Sequence, residues 1–449
     1  MSASSSATFE ELFLESNDQK RTADLKQGIV SIDYYEDIFS PNITAKVRVI
    51  NTGDSISPRD QLDSSKVDGP KQSIYNGLPL RGGERLVMKI LDQGKTFEGK
   101  EKTGLDFSSD PKKYLFVSSI TQVLQETQRE SFLLNLVSRE AITNQTVRVK
   151  KRYKGIISET VKKILKDVMK VDESRYEVED TLLPYEFVGN LKKPFSTLIS
   201  LASKSIPNKS KDASAGFVFF QTQDGFKFKS IDTLIDGESK ATYTYTEINE
   251  SSTTRNNDFT ILNYSVDKNQ DLVGNLKKGT YSFIRMTFNP LNFSFTQDQF
   301  KYGQKNTGKE KKISNLGGDL ELPKISDDSD LTLDDLPTRV ITQIADVGAS
   351  TGISTETNYG PEKYQGQNIV RYNLLMTQSV SMVVPCNTDL KAGDIITCNF
   401  PKVSREDDVF DEQTSGRYLI KELCHHFEAK RSATSMKLVR DTFGLYGGN

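Results

Sequence analysis

The sequence predicts a mainly β protein carrying a helical insertion, an α+β chain of several domains. Three observations predict it. Runs of apolar, β-branched and aromatic residues broken by Gly, Pro, Asn and Asp fill both the beginning and the end of the chain. Helical spacing is confined to the stretch between Ser158 and Ala202. The length, 449 residues, exceeds what one core holds, because single cores stop growing near about 250–300 residues, so roughly three domains are expected.

Taken in order, GIVSIDYYEDIF, NITAKVRVI, ERLVMKIL and KYLFVSSITQVL read as strands. SETVKKILKDVM follows, with Val161, Ile164, Leu165 and Val168 at helical spacing and Ser158 placed to cap the first amides. KKPFSTLISLASK repeats the spacing with Phe195, Leu198, Ile199 and Ala202, and Pro194 suits a first turn because its missing N–H has no partner there. The two helices are expected to pair. GFVFFQTQDGFKFKSI places Asp224-Gly225 between strands that alternate Phe217, Phe219 and Phe226, Phe228, the pattern of a hairpin with a tight two-residue turn. ATYTYTEI, TYSFIRMTF and NFSFTQDQF return to strand character, whereas residues 301–368 are rich in Gly, Lys, Asp and Ser and are expected to form a charged linker or surface excursion. Strands resume from about residue 369 to residue 444.

Charge and cysteine content narrow the function. Lys and Arg number 59 against 61 Asp and Glu, too even a balance for a dedicated nucleic-acid binder, whose phosphate contacts need a basic surplus. No apolar run reaches membrane-spanning length and MSASSSATFEELF lacks the layout of a secretion signal, so a cytosol-like compartment is expected. Cys386, Cys398 and Cys424 are too few and too scattered for a disulfide framework or a zinc motif.

An internal repeat is visible. LRGGERLVMKI at 80–90 and LKAGDIITCNF at 390–400 share the order Leu, basic, small, Gly, acid, strand. In each the glycine permits a tight turn and the acid sits at the wet start of the strand. Downstream, residues 113–141 align with 417–443, setting Lys113-Tyr114-Leu115 against Arg417-Tyr418-Leu419 and Leu136-Val137 against Leu438-Val439. Duplication of a β module is the reading adopted; chance likeness between amphipathic strands is its competitor.

The chain's two histidines adjoin a cysteine in Cys424-His425-His426. On a strand, neighbours point to opposite faces, so His425 and His426 do not chelate one ion, and their counterparts in the first copy, Thr121 and Gln122, are not metal ligands. No metal or cofactor site is expected. SDDSDLTLDDL at 326–336 lacks the glycine and final glutamate of a calcium loop. No phosphate-binding loop, nucleophile elbow or zinc helix is present, and two histidines in one hairpin offer little to a triad, so the chain is not expected to be an enzyme.

SIDYYEDIFSP, LVSREAITNQTVRVKKRYKGIISETVKKIL, PFSTLISLASK with AGFVFFQTQDGFKFKSIDTL, and the ending SGRYLIKELCHHFEAKRSATSMKLVRDTFG together resemble the baseplate hub subunit of contractile-tailed, T-even-like bacteriophages. That family is related to the N-terminal part of type VI secretion spike proteins. The resemblance implies two tail-tube-like antiparallel β-barrels per chain, forming a pseudo-sixfold ring as a homotrimer. The expected layout is a first barrel at 1–150, a helical insertion at 151–205, and a second barrel at 206–238 plus 369–449. A β-rich insertion at 239–300 and the excursion at 301–368 complete it. The implied partners are a central spike trimer, the tail tube or a tube-initiator ring, and other baseplate wedge proteins. DNA would pass through the channel without specific binding. The implied location is the virion's tail baseplate, assembled in the host cytoplasm, with no membrane anchor. Phe443, Leu445 and Tyr446 on the glycine-rich tail are the candidate spike-side contacts, or else a frayed end. A tail-associated hydrolase, or a receptor- or carbohydrate-binding tail module, is the competing function. No carboxylate pair stands out for the first, and for the second the chain offers tyrosines but no tryptophan.

Overall fold

The computed structural model describes residues 7–52, 73–92, 99, 103–208, 215–245, 257–302, 316–318, 322–326, 328–346, 362–402, 410–428 and 431–444. The first part is β1 Thr8–Glu15, β2 Thr22–Asp24, β3 Ile29–Asp37, β4 Thr44–Asn51, a single turn α1 Ile74–Gly77, β5 Arg85–Leu91, β6 Leu105–Phe107, β7 Leu115–Gln125 and β8 Glu130–Ser138. In β4 the period of two is plain: Ala45, Val47 and Val49 are buried while Lys46, Arg48 and Ile50 are exposed. The buried face joins Leu12, Tyr34, Met88, Phe107 and Leu134 in one core. Antiparallel ladders run β3 to β4, β4 to β8, β8 to β7 and β7 to β5, with β5 also holding β1.

The insertion contains α2 Arg139–Thr146, β9 Arg152–Tyr153, α3 Ile157–Lys163 with a wider π turn at Ile164–Val168, β10 Tyr176–Val178, β11 Phe187–Val188, α4 Pro194–Ala202, β12 Phe217–Thr222, β13 Gly225–Ser230 and α5 Ile231–Ile235. Two details depart from the sequence reading. Ser158 does not cap α3; it lies inside the first turn, buried, and its N–H donates to the Thr181 hydroxyl at 2.9 Å. Ile199 is 45% exposed, because the buried stripe of α4 runs through Phe195, Leu198, Leu201 and Ala202 instead. α3 and α4 share one core. The hairpin turn is Gln223-Asp224, one residue earlier than expected: Gly225 is already paired with Thr222, where a side chain would strike the Arg175 carbonyl at 2.1 Å.

Every residue of β12 is buried. Phe217 and Phe219 face Phe226, Phe228 and the insertion helices, while Val218 and Phe220 pack with Ile38, Leu234 and Leu419. One strand thus separates two cores. β12, β13 and β10 form a three-stranded sheet of their own.

The remainder is β14 Ser239–Tyr245, β15 Thr260–Ile261, β16 Asn263–Lys268, α6 Leu272–Lys278, β17 Ser282–Asn289, β18 Ser294–Lys301, β19 Val340–Ile344, α7 Glu362–Leu375, β20 Gln378–Pro385, β21 Ile395–Asn399, β22 Gly416–Glu428 and β23 Ser432–Arg440. The stretch 301–368, expected as a linker or excursion, supplies β19 and the start of α7. β19 lies parallel to β17, so its backbone is satisfied by a borrowed ladder, and Ile341 reaches the core of Tyr281 and Phe283. Among the described residues fifteen strands from both ends of the chain make one continuous sheet, curled into a half-barrel, and the protein is mainly β.

That sheet contains the same wiring twice. β3, β4, β8, β7 and β5 are hydrogen-bonded in that order, and so are β16, β20, β23, β22 and β21. The match reaches single bonds. Gly83 and Gly393 hold φ at +92° and +91°. The Gly83 N–H donates to Val117 and the Gly393 N–H to Ile420, and the amides of Val117 and Ile420 return to Glu84 and Asp394. Each acid accepts from the amide three residues earlier, Arg81 or Lys391. The motif's glycine and acid are therefore fixed by backbone geometry. A bulge follows at Ser118 in one hairpin and Lys421 in the other. The sequence alignment of these hairpins is one residue out at its start: β5 and β21 place Leu115 opposite Leu86 and Tyr418 opposite Ile396, so Leu115, not Tyr114, occupies the place of Tyr418. A second irregularity of β7, between Thr121 and Leu124, takes up one more residue, so that His426 answers to Leu124 and not to Gln122, while Leu136 and Leu438 are equivalent as expected.

Candidate functional site

The two repeated modules meet where β22 lies antiparallel to β3, from Glu422 opposite Asp37 to Glu428 opposite Ser31. β22 uses this edge twice, because Gly416 to Leu419 pair β21 before the bulge. The Ile38 N–H donates to the carbonyl of the bulged Lys421 at 3.0 Å. Behind the seam lies the buried carboxylate of Glu36, which accepts from Ala392 N–H at 2.9 Å, Gln223 N–H at 2.8 Å and Tyr34 Oη at 2.8 Å. Burial drives its pKa up to about 7, against the opposing pull of these donors. One side chain thereby ties β3, the insertion hairpin and the repeated glycine loop. A second buried link joins α7 to both α5 and the end of β23: Arg371 reaches Asp441 at 3.1 Å and Asp232 at 2.6 Å.

Cys424-His425-His426 is part of this seam. His425 is buried, its ring lies parallel to Tyr34 with centroids 6.1 Å apart, and Nδ1 contacts the Thr434 hydroxyl at 2.9 Å. His426 lies on the opposite face between Asp33 of β3 and Glu428, the latter at 3.0 Å. Partial burial works against its charged form, but the two carboxylates outweigh it and raise its pKa. Burial pushes the Cys424 thiol up to about 12, away from the reactive thiolate. Among the described residues no group of three or more His, Cys, Asp or Glu is placed to hold a metal ion.

Two strand edges answering to this seam have no neighbour among the described residues. Past its bulge, β7 pairs only with β8, and β16 pairs only with β20. Among the mostly polar side chains of these edges three exposed ones are apolar: Leu124 at 67%, Val266 at 40% and Val123 at 37%. Sequence reading missed them, although the uncharged, proline-free run LFVSSITQVLQ was a signal that β7 has no protection as an edge. Of the terminal residues singled out from sequence, Phe443 is half-buried and its carbonyl accepts from Gly318 N–H at 2.8 Å; Leu445 and Tyr446 lie outside the described residues. The sheet face away from the cores carries Asp33, Lys46, Arg48, Glu422, His426 and Lys437, a polar surface of mixed sign. On the insertion, a groove of about 660 Å³ is lined by Arg148, Lys150, Lys151, Arg152, Lys154 and Lys163.

No family model matches the chain. Over 298 residues it is 22% identical to the probable baseplate hub protein gp334 of Vibrio phage KVP40, an alignment covering 64% of this chain and 67% of that protein. The chain is similar to phage baseplate hub proteins. A tail protein from Neisseria meningitidis MC58 superposes over 97% of both chains with a TM-score of 0.52 at 9% identity, which shows a shared fold. A component of the type VI secretion system of E. coli aligns over 97% of this chain and 77% of its own, with 8% identity and a TM-score of 0.41. The hub likeness thus comes from sequence and the tail-protein fold from structure.

Proposed function

We propose that this chain is a structural baseplate hub subunit, a trimeric adaptor that joins a sixfold tail tube to a threefold central spike and encloses the channel through which DNA leaves. The observation carrying this reading is the doubled strand order joined at β3 and β22. A tube made of sixfold rings and a threefold spike cannot dock without mismatched contacts. A chain bearing two equivalent modules resolves this: three copies present six similar modules to the tube and three identical chains to the spike. The polar sheet face of mixed charge suits a hydrated lumen, since a surface of even charge gives phosphates no net grip. The helical insertion, with its basic groove, faces outward toward wedge proteins, and Phe443 lies toward the spike. Native mass spectrometry of the purified protein, alone and with a spike protein, tests this. Trimers, or trimers formed on the spike, are expected; a monomer with lytic activity would overturn the reading.

A further inference from the structure

The seam inside the chain, β22 against β3, has a counterpart elsewhere in the same sheet. β22 corresponds to β7 and β3 to β16, as the shared strand order and matching bulges establish. Within the chain, β22 and β3 satisfy one another. Their counterparts, β7 beyond Ser118 and β16, each have one neighbour only among the described residues and leave the corresponding edge open. Neither Ser119–Gln125 nor Asn263–Lys268 contains a proline, so none of the N–H groups that point away from β8 or β20 is missing from the open edge. Nor does β7 carry the charges with which a permanently solvated edge is normally shielded.

The equivalences also fix a register. Phe427 pairs with Ser432, which corresponds to Glu130, and Glu130 pairs with Gln125. Ile32 pairs with Val47, which corresponds to Met382, and Met382 pairs with Tyr264. The internal pair Phe427 with Ile32 therefore maps onto Gln125 with Tyr264, and His426 with Asp33 onto Leu124 with Ser265. Val266 takes the place of Tyr34 and falls opposite the irregular step between Thr121 and Leu124, which contains Val123. The exposed Val123, Leu124 and Val266 are thereby brought together.

We propose that residues 119–125 of β7 pair antiparallel with β16 of a second copy of this chain, with Leu124 opposite Ser265 and Gln125 opposite Tyr264. Because one edge is donated and a different one received, the contact is head-to-tail and continues from copy to copy until a ring closes. This rests on the multi-copy hub reading and adds to it the strands and the register.

The test is oxidative cross-linking of the full-length protein carrying Leu124→Cys and Ser265→Cys, compared with Leu124→Cys and Asn263→Cys, which lies two residues out of register, and followed by native mass spectrometry. Disulfide formation between chains is expected for the first pair, and at least about tenfold less for the second, because Cβ atoms bridge only within about 4.5 Å. A separate variant, Val266→Lys, alters only an exposed side chain and is expected to weaken oligomers while leaving the circular dichroism spectrum unchanged. Stable trimers that cross-link equally in both pairs, or in neither, would overturn this register and leave the hub reading standing. A protein that stays monomeric at every concentration, and with a spike protein, would overturn both.

Discussion

Replacing Gly393 with alanine should destabilise the second module more than Gly83→Ala destabilises the first. Both glycines sit at almost the same positive φ, +91° and +92°, so the backbone cost of adding a side chain is common to both, about 1–2 kcal/mol. Their surroundings differ. A Cβ on Gly393 would meet Phe220 Cζ at 3.0 Å and Leu234 Cδ2 at 3.4 Å, inside a core with no room to yield, which adds about 1–3 kcal/mol of overpacking. A Cβ on Gly83 would meet only the Asn17 side chain, Oδ1 at 2.9 Å, and Asn17 is exposed, so it can turn away and exchange its bonds to the Gly82 carbonyl and Glu84 for bonds to water. The expected losses are therefore about 2–5 kcal/mol for Gly393→Ala and about 1–2 kcal/mol for Gly83→Ala. Hydrogen exchange of the Ile420 and Val117 amides, which bond to Asp394 and Glu84 across these loops, reads each module separately. Protection at Ile420 should fall by about 30- to 4,000-fold and at Val117 by about 5- to 30-fold, at about 1.4 kcal/mol per tenfold. Equal losses, or a larger one at Gly83, would refute the claim that the two loops share a backbone but differ in packing.

Three further outcomes are expected. Asp441→Ala leaves the buried Arg371 without one of its carboxylates and strips the Leu316 N–H of its acceptor; a loss of about 3–5 kcal/mol in chemical denaturation follows, with Asp232→Ala costing less because Asp232 is partly solvated. Glu36 has a pKa of about 7 in the fold against an ordinary 4.5, so the folded protein retains a proton that the unfolded chain gives up. Stability should then decline by about 3 kcal/mol as pH rises from roughly 4.5 to 7 and level off above, and Glu36→Gln should remove that slope in unfolding midpoints measured across the range. Phe219→Ala removes a ring stacked on Phe226 at 5.4 Å and should cost about 3–5 kcal/mol, with exchange protection lost in the insertion and the first module's β4 and β8 unaffected.

The repeated loop is legible in the sequence because its glycine and acid answer to backbone demands that do not depend on distant partners. The hairpin register is less legible: both copies read basic-Tyr-Leu, so likeness matches Tyr114 to Tyr418, where the pairing to β5 and β21 puts Leu115. Ser158 fails as a cap for a related reason, since the acceptor for the first turn comes from Thr181, far along the chain. Residues 301–368 are poor in apolar groups and so read as a linker, yet β19 needs few, because β17 completes its hydrogen bonds. His425 and His426 separate onto two faces as the sequence implies, since alternation is a local property of a strand. The uncharged run of β7 marks a strand without edge protection, but which edges of β7 and β16 stay open depends on which strands arrive beside them, and that is settled only by the tertiary arrangement.

β12 makes the insertion and the second half mechanically inseparable. Its odd and even side chains are clamped by different neighbours, so the strand can neither slip by one position nor rock without loosening both sides at once. A pull on the helices of the insertion is relayed to the wall behind as a rigid displacement, the behaviour of a keyed joint and not of a hinge.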